Sequence, residues 1–184
     1  MKELDLGGII HPIPAETSYY HVDLYRLEKS IQTFETEDDM IVEMNPDYQR
    51  GHVWTLDQKI HYIENMLRFK FQPEIRLNFP HYKDTHSKCK NGLKKNVVTC
   101  IDGLQRYTAI TEFANEKFKV FDNQVGVKDL DCTAFSFKRL HCILKIYEFT
   151  DKKELLQFYI DLNAGGTFHT PDEINRVKKM KEGM

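Results

Sequence analysis

The segment Asp102-Gly103-Leu104-Gln105-Arg106 joins a β-branched run to a stretch with helical spacing. A helix that starts directly after a strand exposes unpaired N–H groups and the positive end of its dipole, and both attract anions. Gly103 lacks the β-carbon that would keep a phosphate away from the backbone. The planar guanidinium of Arg106 matches two phosphate oxygens. The segment therefore predicts a site for a phosphate-bearing ligand.

Two further side chains of this segment suit phosphate chemistry. Asp102 can bind a divalent cation that shares the phosphate, and Gln105 can position a water for attack on phosphorus. A structural interpretation is also open, because Asp-Gly is a common turn and an aspartate often caps a helix. In that interpretation Arg106 only pairs with a surface acid.

A second polar segment, residues 45–54, lies between a short predicted strand and a predicted helix. Gln49 and Arg50 are flanked there by Tyr48 and by Trp54, the only tryptophan of the chain. An arginine with aromatic neighbours suits stacking on a nucleobase or binding of a phosphate. The alternative is that the two aromatic residues belong to the core and that Arg50 forms a structural ion pair.

A third segment, Asn163-Ala164-Gly165-Gly166-Thr167, follows a predicted helix. Its glycines could present backbone amides to an anion. Glycines at such a position also commonly just end a helix, so both interpretations stay open.

Positive charge is concentrated in a lysine-rich loop predicted at residues 80–96, where five lysines accompany a single acidic residue. We expect this loop to be an exposed insertion between two strands. It is either a solvated surface without a function or a contact for DNA phosphates. The lysines that would make the DNA contact are Lys88, Lys90, Lys94 and Lys95.

Helices and strands are both predicted around these segments, which favours the α/β (mixed α+β) class. Thr55 and Gln58 form a capping box that predicts a helix start. Residues 118–139 have a less clear pattern, with a hairpin suggested near Gly126. We predict one domain over residues 1–184, with a core at about 24–177 and an irregular lead-in at 1–20.

Composition and charge exclude several classes of protein. The net charge of −2 is not that of a polycation coating nucleic acid. No stretch approaches the roughly 18 unbroken apolar residues of a membrane helix, and the first residues do not resemble a secretory signal. The four cysteines have no metal-binding spacing. We therefore expect a cytoplasmic protein without a membrane partner or an organic cofactor.

Taken together and in this order, the three segments resemble a protein family. The first matches the pattern P-x-Y-Q-R-x-x-V-W through Pro46, Tyr48, Gln49, Arg50, Val53 and Trp54. The central box D-G-Q-Q-R-x-T is matched by Asp102, Gly103, Gln105, Arg106 and Thr108. The third pattern, F-x-x-(I/L)-N-x-x-G, is matched by Phe158 or Tyr159, Leu162, Asn163 and Gly166. Over residues 24–177 the chain resembles the ParB/sulfiredoxin-like superfamily, in particular the ParB-like N-terminal domains of GmrSD-type modification-dependent restriction enzymes.

The resemblance implies a ParB-like fold, a small mixed sheet flanked by helices, that binds nucleotides and in several members hydrolyses them with a divalent metal. It implies that Gly103 and Arg106 hold phosphates, with Gln49 and Arg50 on the far side of the pocket. Asp102 would hold Mg²⁺, Mn²⁺ or Ca²⁺, and Gln105 the attacking water. Leu104 replaces the first glutamine of the central box, and we expect this replacement to alter water positioning or hydrolysis.

Three functional hypotheses stay open at this point. The first is a nucleotide-binding domain, with or without hydrolysis, that serves a DNA-directed system of restriction or phage–host conflict. The second is a non-catalytic module that binds DNA or a protein, such as a nuclease subunit or a host or phage protein. The third is a ParB-like nuclease, although the sequence contains no HNH-like constellation.

Overall fold

A five-stranded mixed β-sheet forms the centre of the fold in the computed structural model, which describes residues 18–49, 54–82, 88–164 and 171–183. The strands lie in the order β1-β5-β3-β4-β2. Their bounds are β1 Ser18–Asp23, β2 Ile41–Glu43, β3 Glu74–Asn78, β4 Val97–Asp102 and β5 His141–Tyr147.

The directions of the strands bring charged side chains together. Strands β3 and β4 are antiparallel, whereas β3 and β5 are parallel. In this register Arg76 of β3 lies opposite Asp102 on one side and Lys145 on the other. Since residues that pair across strands share a face of the sheet, these three side chains form one row.

Five α-helices accompany the sheet within the described residues. Their bounds are α1 Leu27–Thr36, α2 Leu56–Leu67, α3 Leu104–Ala114, α4 Lys152–Ala164 and α5 Pro171–Glu182. The start of α2 is the capping box expected from the sequence: Thr55 accepts from the backbone of Gln58, whose side chain accepts from the backbone of Thr55. That prediction is confirmed.

Two hydrophobic clusters lie on opposite faces of the sheet. Cys100 and Ile146 belong to the cluster formed with α1, α2 and α3. Their strand neighbours Ile101 and Tyr147 belong to the second cluster, formed with α4 and Val177 of α5. Because successive strand residues point to opposite faces, helices cover the sheet on both sides. The prediction of a mixed sheet flanked by helices is confirmed.

Two stretches differ in detail from the sequence-based expectation. Strand β1 begins at Ser18, inside the stretch expected to be irregular, because this edge strand is largely exposed and has no apolar alternation to reveal it. The expected hairpin is reduced to one antiparallel bridge between Val120 and Val125. The prediction of one domain over residues 1–184 stays a prediction, since residues 1–17 lie outside the described chain. No described helix is both long and apolar enough to cross a membrane.

Candidate functional site

The turn between β4 and α3 requires a glycine. Gly103 has a left-handed φ of 111°, and a β-carbon there would lie 3.1 Å from the Cα of Ile75 in β3. The sequence predicts that Gly103 lets a phosphate approach the backbone, and that role stays a prediction. The structure shows a different neighbour, because it is the backbone of β3 that fills the space beside Gly103. The glycine thus lets β3 and the start of α3 pack closely.

Asp102, the last residue of β4, lies between two arginines. Its Oδ2 atom accepts from Nη1 of Arg76 at 2.7 Å and also contacts Nη2 of Arg106. Arg76 comes from the adjacent strand, and Arg106 from the first turn of α3. One carboxylate therefore holds two guanidinium groups side by side, and it does not cap the helix.

The ion pairs continue across the sheet. Arg76 also contacts Glu74, whose Oε2 atom lies 2.9 Å from Nζ of Lys145. We call these residues the charge cluster; its members are Glu74, Arg76, Asp102, Arg106 and Lys145. Their side chains are between 19% and 27% exposed, so solvent reaches each of them. Three cations and two carboxylates leave the cluster with a net positive charge.

The pKa shifts within the cluster favour the charged forms. Burial acts to raise the pKa of Asp102, but the charges of Arg106 and Arg76 and their hydrogen bonds outweigh it, and the pKa lies below its ordinary value of 3.8. Burial acts to lower the pKa of Arg106, but Asp102 outweighs it, and the pKa of Arg106 is raised. The pair is therefore ionised at neutral pH.

An aromatic row lies beside the charge cluster. The ring of Tyr62 packs between the rings of Trp54 and Phe71, with centroid-to-centroid distances of 5.2 Å and 5.0 Å, respectively. Burial raises the pKa of Tyr62, and the charge of Arg106 acts in the opposite direction. The Tyr62 hydroxyl and Nε of Arg76 are buried without a hydrogen-bond partner in the part of the chain that the structure describes.

The structure brings Gln49 to strand β4, close to Asp102, and buries the side chain of Tyr48. Nε2 of Gln49 donates to the carbonyl oxygen of Cys100 at 2.6 Å, two residues before Asp102. Tyr48 is only 2% exposed, and its hydroxyl donates to the same carbonyl at 3.0 Å. The ring of Tyr48 thus belongs to the core, and the prediction that Tyr48 binds a nucleotide stays a prediction. Arg50 lies outside the described residues.

Gln105 has a structural contact of its own. Its Oε1 atom accepts from the backbone N–H of Trp54 at 3.1 Å. This bond holds the backbone at Trp54, just before the start of α2. The proposed role of Gln105 in positioning a water stays a prediction, and any such role must coexist with this bond.

The remaining predicted site residues lie on α4 and in the loop before β4. Nδ2 of Asn163 donates to the Tyr159 carbonyl within α4 at 2.7 Å. The described part of the lysine-rich loop is exposed at each lysine for which a DNA contact is predicted. These are Lys88, Lys90, Lys94 and Lys95. The exposed character of this part of the loop is thus confirmed, and the DNA contact stays a prediction.

The described residues do not fit a divalent cation held by the protein. No group of three metal-ligating side chains occurs among them. Asp102, the predicted ligand, gives Oδ2 to two guanidinium groups, and the surrounding charge is positive. The two guanidinium groups repel a free cation, and a phosphate chain that arrives with the cation would offset that repulsion.

Sequence reasoning missed the part of the cluster that comes from neighbouring strands. The alternation of side chains along β3 puts Glu74 and Arg76 on one face of the sheet. Their pairing with Asp102 and Lys145 depends on the order and register of the strands, for which the sequence carries no local signal. Tyr62 was likewise missed, because it belongs to none of the three segments that the sequence singled out.

A family model describes most of this chain. The model of the GmrSD restriction endonuclease N-terminal domain matches residues 29–178, a range that includes the whole charge cluster. No curated protein and no solved structure matches the chain. The chain therefore belongs to the family of GmrSD restriction endonuclease N-terminal domains.

Proposed function

We propose that this chain is a phosphate-binding domain that recognises nucleotides in a DNA-directed restriction system. Its family membership supports the restriction system and DNA as a partner. The observation that carries the phosphate-binding proposal is the pair of guanidinium groups held by Asp102. ParB-like ancestry, a nuclease subunit and a host or phage protein as partners belong to the same proposal.

The charge cluster fits a polyphosphate ligand better than a ligand with a single carboxylate group. A guanidinium has five N–H donors, and Arg106 directs one of its terminal nitrogens at Asp102. The other donors can grip two oxygens of a phosphate. Arg76 and Lys145 extend positive charge along the row, so successive phosphates of one chain would each find a cation. Since the ion pairs already fix these side chains, binding costs little side-chain entropy.

Binding without hydrolysis is the second candidate, and two contacts favour it. The Gln105 side chain supports the backbone of Trp54, and the carboxylate of Asp102 supports two arginines. Groups used in this way are less suited to hold an attacking water or a metal. In this form the domain would be a nucleotide sensor, and cleavage of DNA would need a catalytic centre elsewhere.

A titration of the purified protein tests the proposal. Calorimetry would use inorganic tripolyphosphate and the four ribonucleoside triphosphates, each with EDTA and with Mg²⁺, Mn²⁺ or Ca²⁺. A phosphate-release assay on the same samples separates binding from hydrolysis. We expect saturable, one-site binding of triphosphates that persists in EDTA. If neither tripolyphosphate nor any nucleotide binds under any of these conditions, the proposal is wrong.

A further inference from the structure

Arg176, on α5, holds the turn that contains Gln49. Its Nη1 atom donates to the carbonyl oxygen of Asp47 at 3.0 Å, and Nη2 donates to the carbonyls of Tyr48 at 3.0 Å and Gln49 at 3.3 Å. A single guanidinium thus binds three successive backbone carbonyls. Such a fork fixes the path of the chain more tightly than any one of the bonds.

The same turn is also fixed to the sheet. Tyr48 and Gln49 donate their side chains to the carbonyl of Cys100, which precedes Asp102 by two residues in β4. The turn is therefore bound between α5 and β4. A displacement of α5 would change where Gln49 meets the strand that carries Asp102.

A second contact beside the charge cluster involves Trp54. The backbone N–H of Trp54 donates to Gln105, the neighbour of Arg106 in the first turn of α3. Gln49 and Trp54 are consequently bound to the strand and to the helix that Gly103 connects. Arg176 supplies a further contact to Gln49 from α5.

Helix α5 is packed against the rest of the domain, although the guanidinium of Arg176 lies at the surface. The next residue, Val177, is 1% exposed and belongs to the second hydrophobic cluster. One turn further on, Nζ of Lys181 donates to Gln157 of α4 at 2.6 Å. Tyr48 also packs here, because its ring centroid lies 5.1 Å from that of Tyr159 in α4.

We propose that Arg176 is a positioning residue for the phosphate site: it acts through the turn at residues 47–49 and does not touch the ligand. This inference rests on the proposed function. It makes α5 an element whose position controls the affinity of the charge cluster.

The fork of Arg176 can be tested apart from its charge. Arg176→Lys keeps the charge but replaces the planar fork of two nitrogens by a single ammonium nitrogen, whereas Lys178→Ala removes a charge from an exposed site on the same helix and leaves the fork intact. Tripolyphosphate affinity would be measured by calorimetry for both variants and for Arg176→Ala. Thermal unfolding would verify that each sample is folded. Acrylamide quenching of tryptophan fluorescence would report on the solvent accessibility of Trp54.

We expect both Arg176 variants to bind tripolyphosphate roughly tenfold more weakly, a loss of about 1.4 kcal/mol, with unchanged stoichiometry. Trp54 should become more accessible to acrylamide in both. Lys178→Ala should behave like the unchanged protein in both measurements. A purely structural role would lower the unfolding temperature and leave the affinity of the folded protein unchanged, and a purely electrostatic role would weaken Lys178→Ala but not Arg176→Lys.

The outcomes separate this inference from the proposed function. If the unchanged protein binds tripolyphosphate and the Arg176 variants bind it equally well, the positioning role is overturned and the phosphate site stands. If the unchanged protein binds neither tripolyphosphate nor a nucleotide, the proposed function fails and this inference fails with it.

Discussion

The charge cluster and the described part of the lysine-rich loop, residues 88–96, both concentrate positive charge but hold it in different ways. In the cluster the cations are paired with carboxylates, and three strands and a helix position them. The loop is fixed at Lys90 and Asn91: the backbone N–H of Lys90 donates to the carbonyl oxygen of Thr150 at 2.8 Å, and Nδ2 of Asn91 donates to Oδ1 of Asp151 at 2.7 Å. The lysine side chains extend into solvent.

This difference indicates two kinds of binding. Fixed guanidinium groups select a ligand by geometry, since little entropy is lost when the ligand arrives. Exposed lysines attract any polyanion, and that attraction weakens steeply with salt. We therefore expect the cluster to recognise a defined phosphate group and the loop, at most, to contact a DNA backbone without regard to sequence.

The largest expected difference between the two regions is in the stability cost of replacing a glycine that has a left-handed backbone conformation. Gly103→Ala should lower the free energy of unfolding by about 3 kcal/mol or more, because a strained φ adds to the clash of the new methyl group with the backbone of β3. In the loop, Gly92 has a φ of 82°, and among the described residues no atom beyond its two chain neighbours lies within 4 Å of the place that a β-carbon would take. Gly92→Ala should therefore cost only about 1 kcal/mol, from strain alone.

Urea unfolding of the two glycine variants measures this contrast directly. The unchanged protein is the reference, and both variants should show the same dependence on urea concentration if they unfold in one step. Equal losses of stability in the two variants would mean that β3 does not constrain the turn at Gly103.

Asp102→Asn should have an intermediate effect that depends on pH. The pKa of Asp102 is lower in the folded protein than its ordinary value of 3.8, so its contribution to stability is complete above that value and is lost as the pH falls through the folded-state pKa. At neutral pH the variant should be less stable by about 1–3 kcal/mol, because two arginines lose their counter-charge.

Measurements of unfolding free energy between pH 7 and pH 2 test this expectation. The curves of the unchanged protein and Asp102→Asn should converge toward the acid end. Asp131→Asn is the matched control, since Asp131 is 56% exposed and lies 3.9 Å from its partner Lys138. A constant gap between the curves across the whole range would show that ionisation of Asp102 does not stabilise the fold.

The smallest effect per residue is expected in the loop. Replacing its four exposed lysines by alanine should weaken binding to all DNA sequences alike. The salt dependence of binding should become shallower by about 0.9 for each DNA phosphate that the variant no longer neutralises. The control variant removes four exposed lysines from elsewhere in the chain: Lys117, Lys119, Lys128 and Lys138. Equal salt slopes for the loop variant and the unchanged protein would assign the loop to solvated surface.

The sequence predicted those features that local patterns determine. The helix start at Thr55, the strand that ends at Asp102 and the helix that follows Gly103 were all readable, because caps, β-branched runs and glycines act over a few residues. Arg76 could not be assigned to the site in this way. It meets Asp102 only through strand pairing, which no short pattern specifies.

The two aromatic residues of the second segment show the same limit. Tyr48 and Trp54 flank the same polar stretch, and composition gave no reason to separate them. The structure buries Tyr48 against α4 and leaves Trp54 half-buried beside Tyr62. Which aromatic residue enters the core depends on the helix that packs above it, and that helix is more than a hundred residues further along the chain.

Calorimetric titration of Arg106→Ala with tripolyphosphate in EDTA tests the central claim most directly. Arg68→Ala is the matched control, because Arg68 also pairs with a carboxylate, at 3.2 Å, but does so at the end of α2 outside the charge cluster. We predict that Arg106→Ala loses about 1.5–3 kcal/mol of binding free energy while it stays folded, and that Arg68→Ala binds like the unchanged protein. A folded Arg106→Ala that binds tripolyphosphate with unchanged affinity would contradict a phosphate site at the charge cluster.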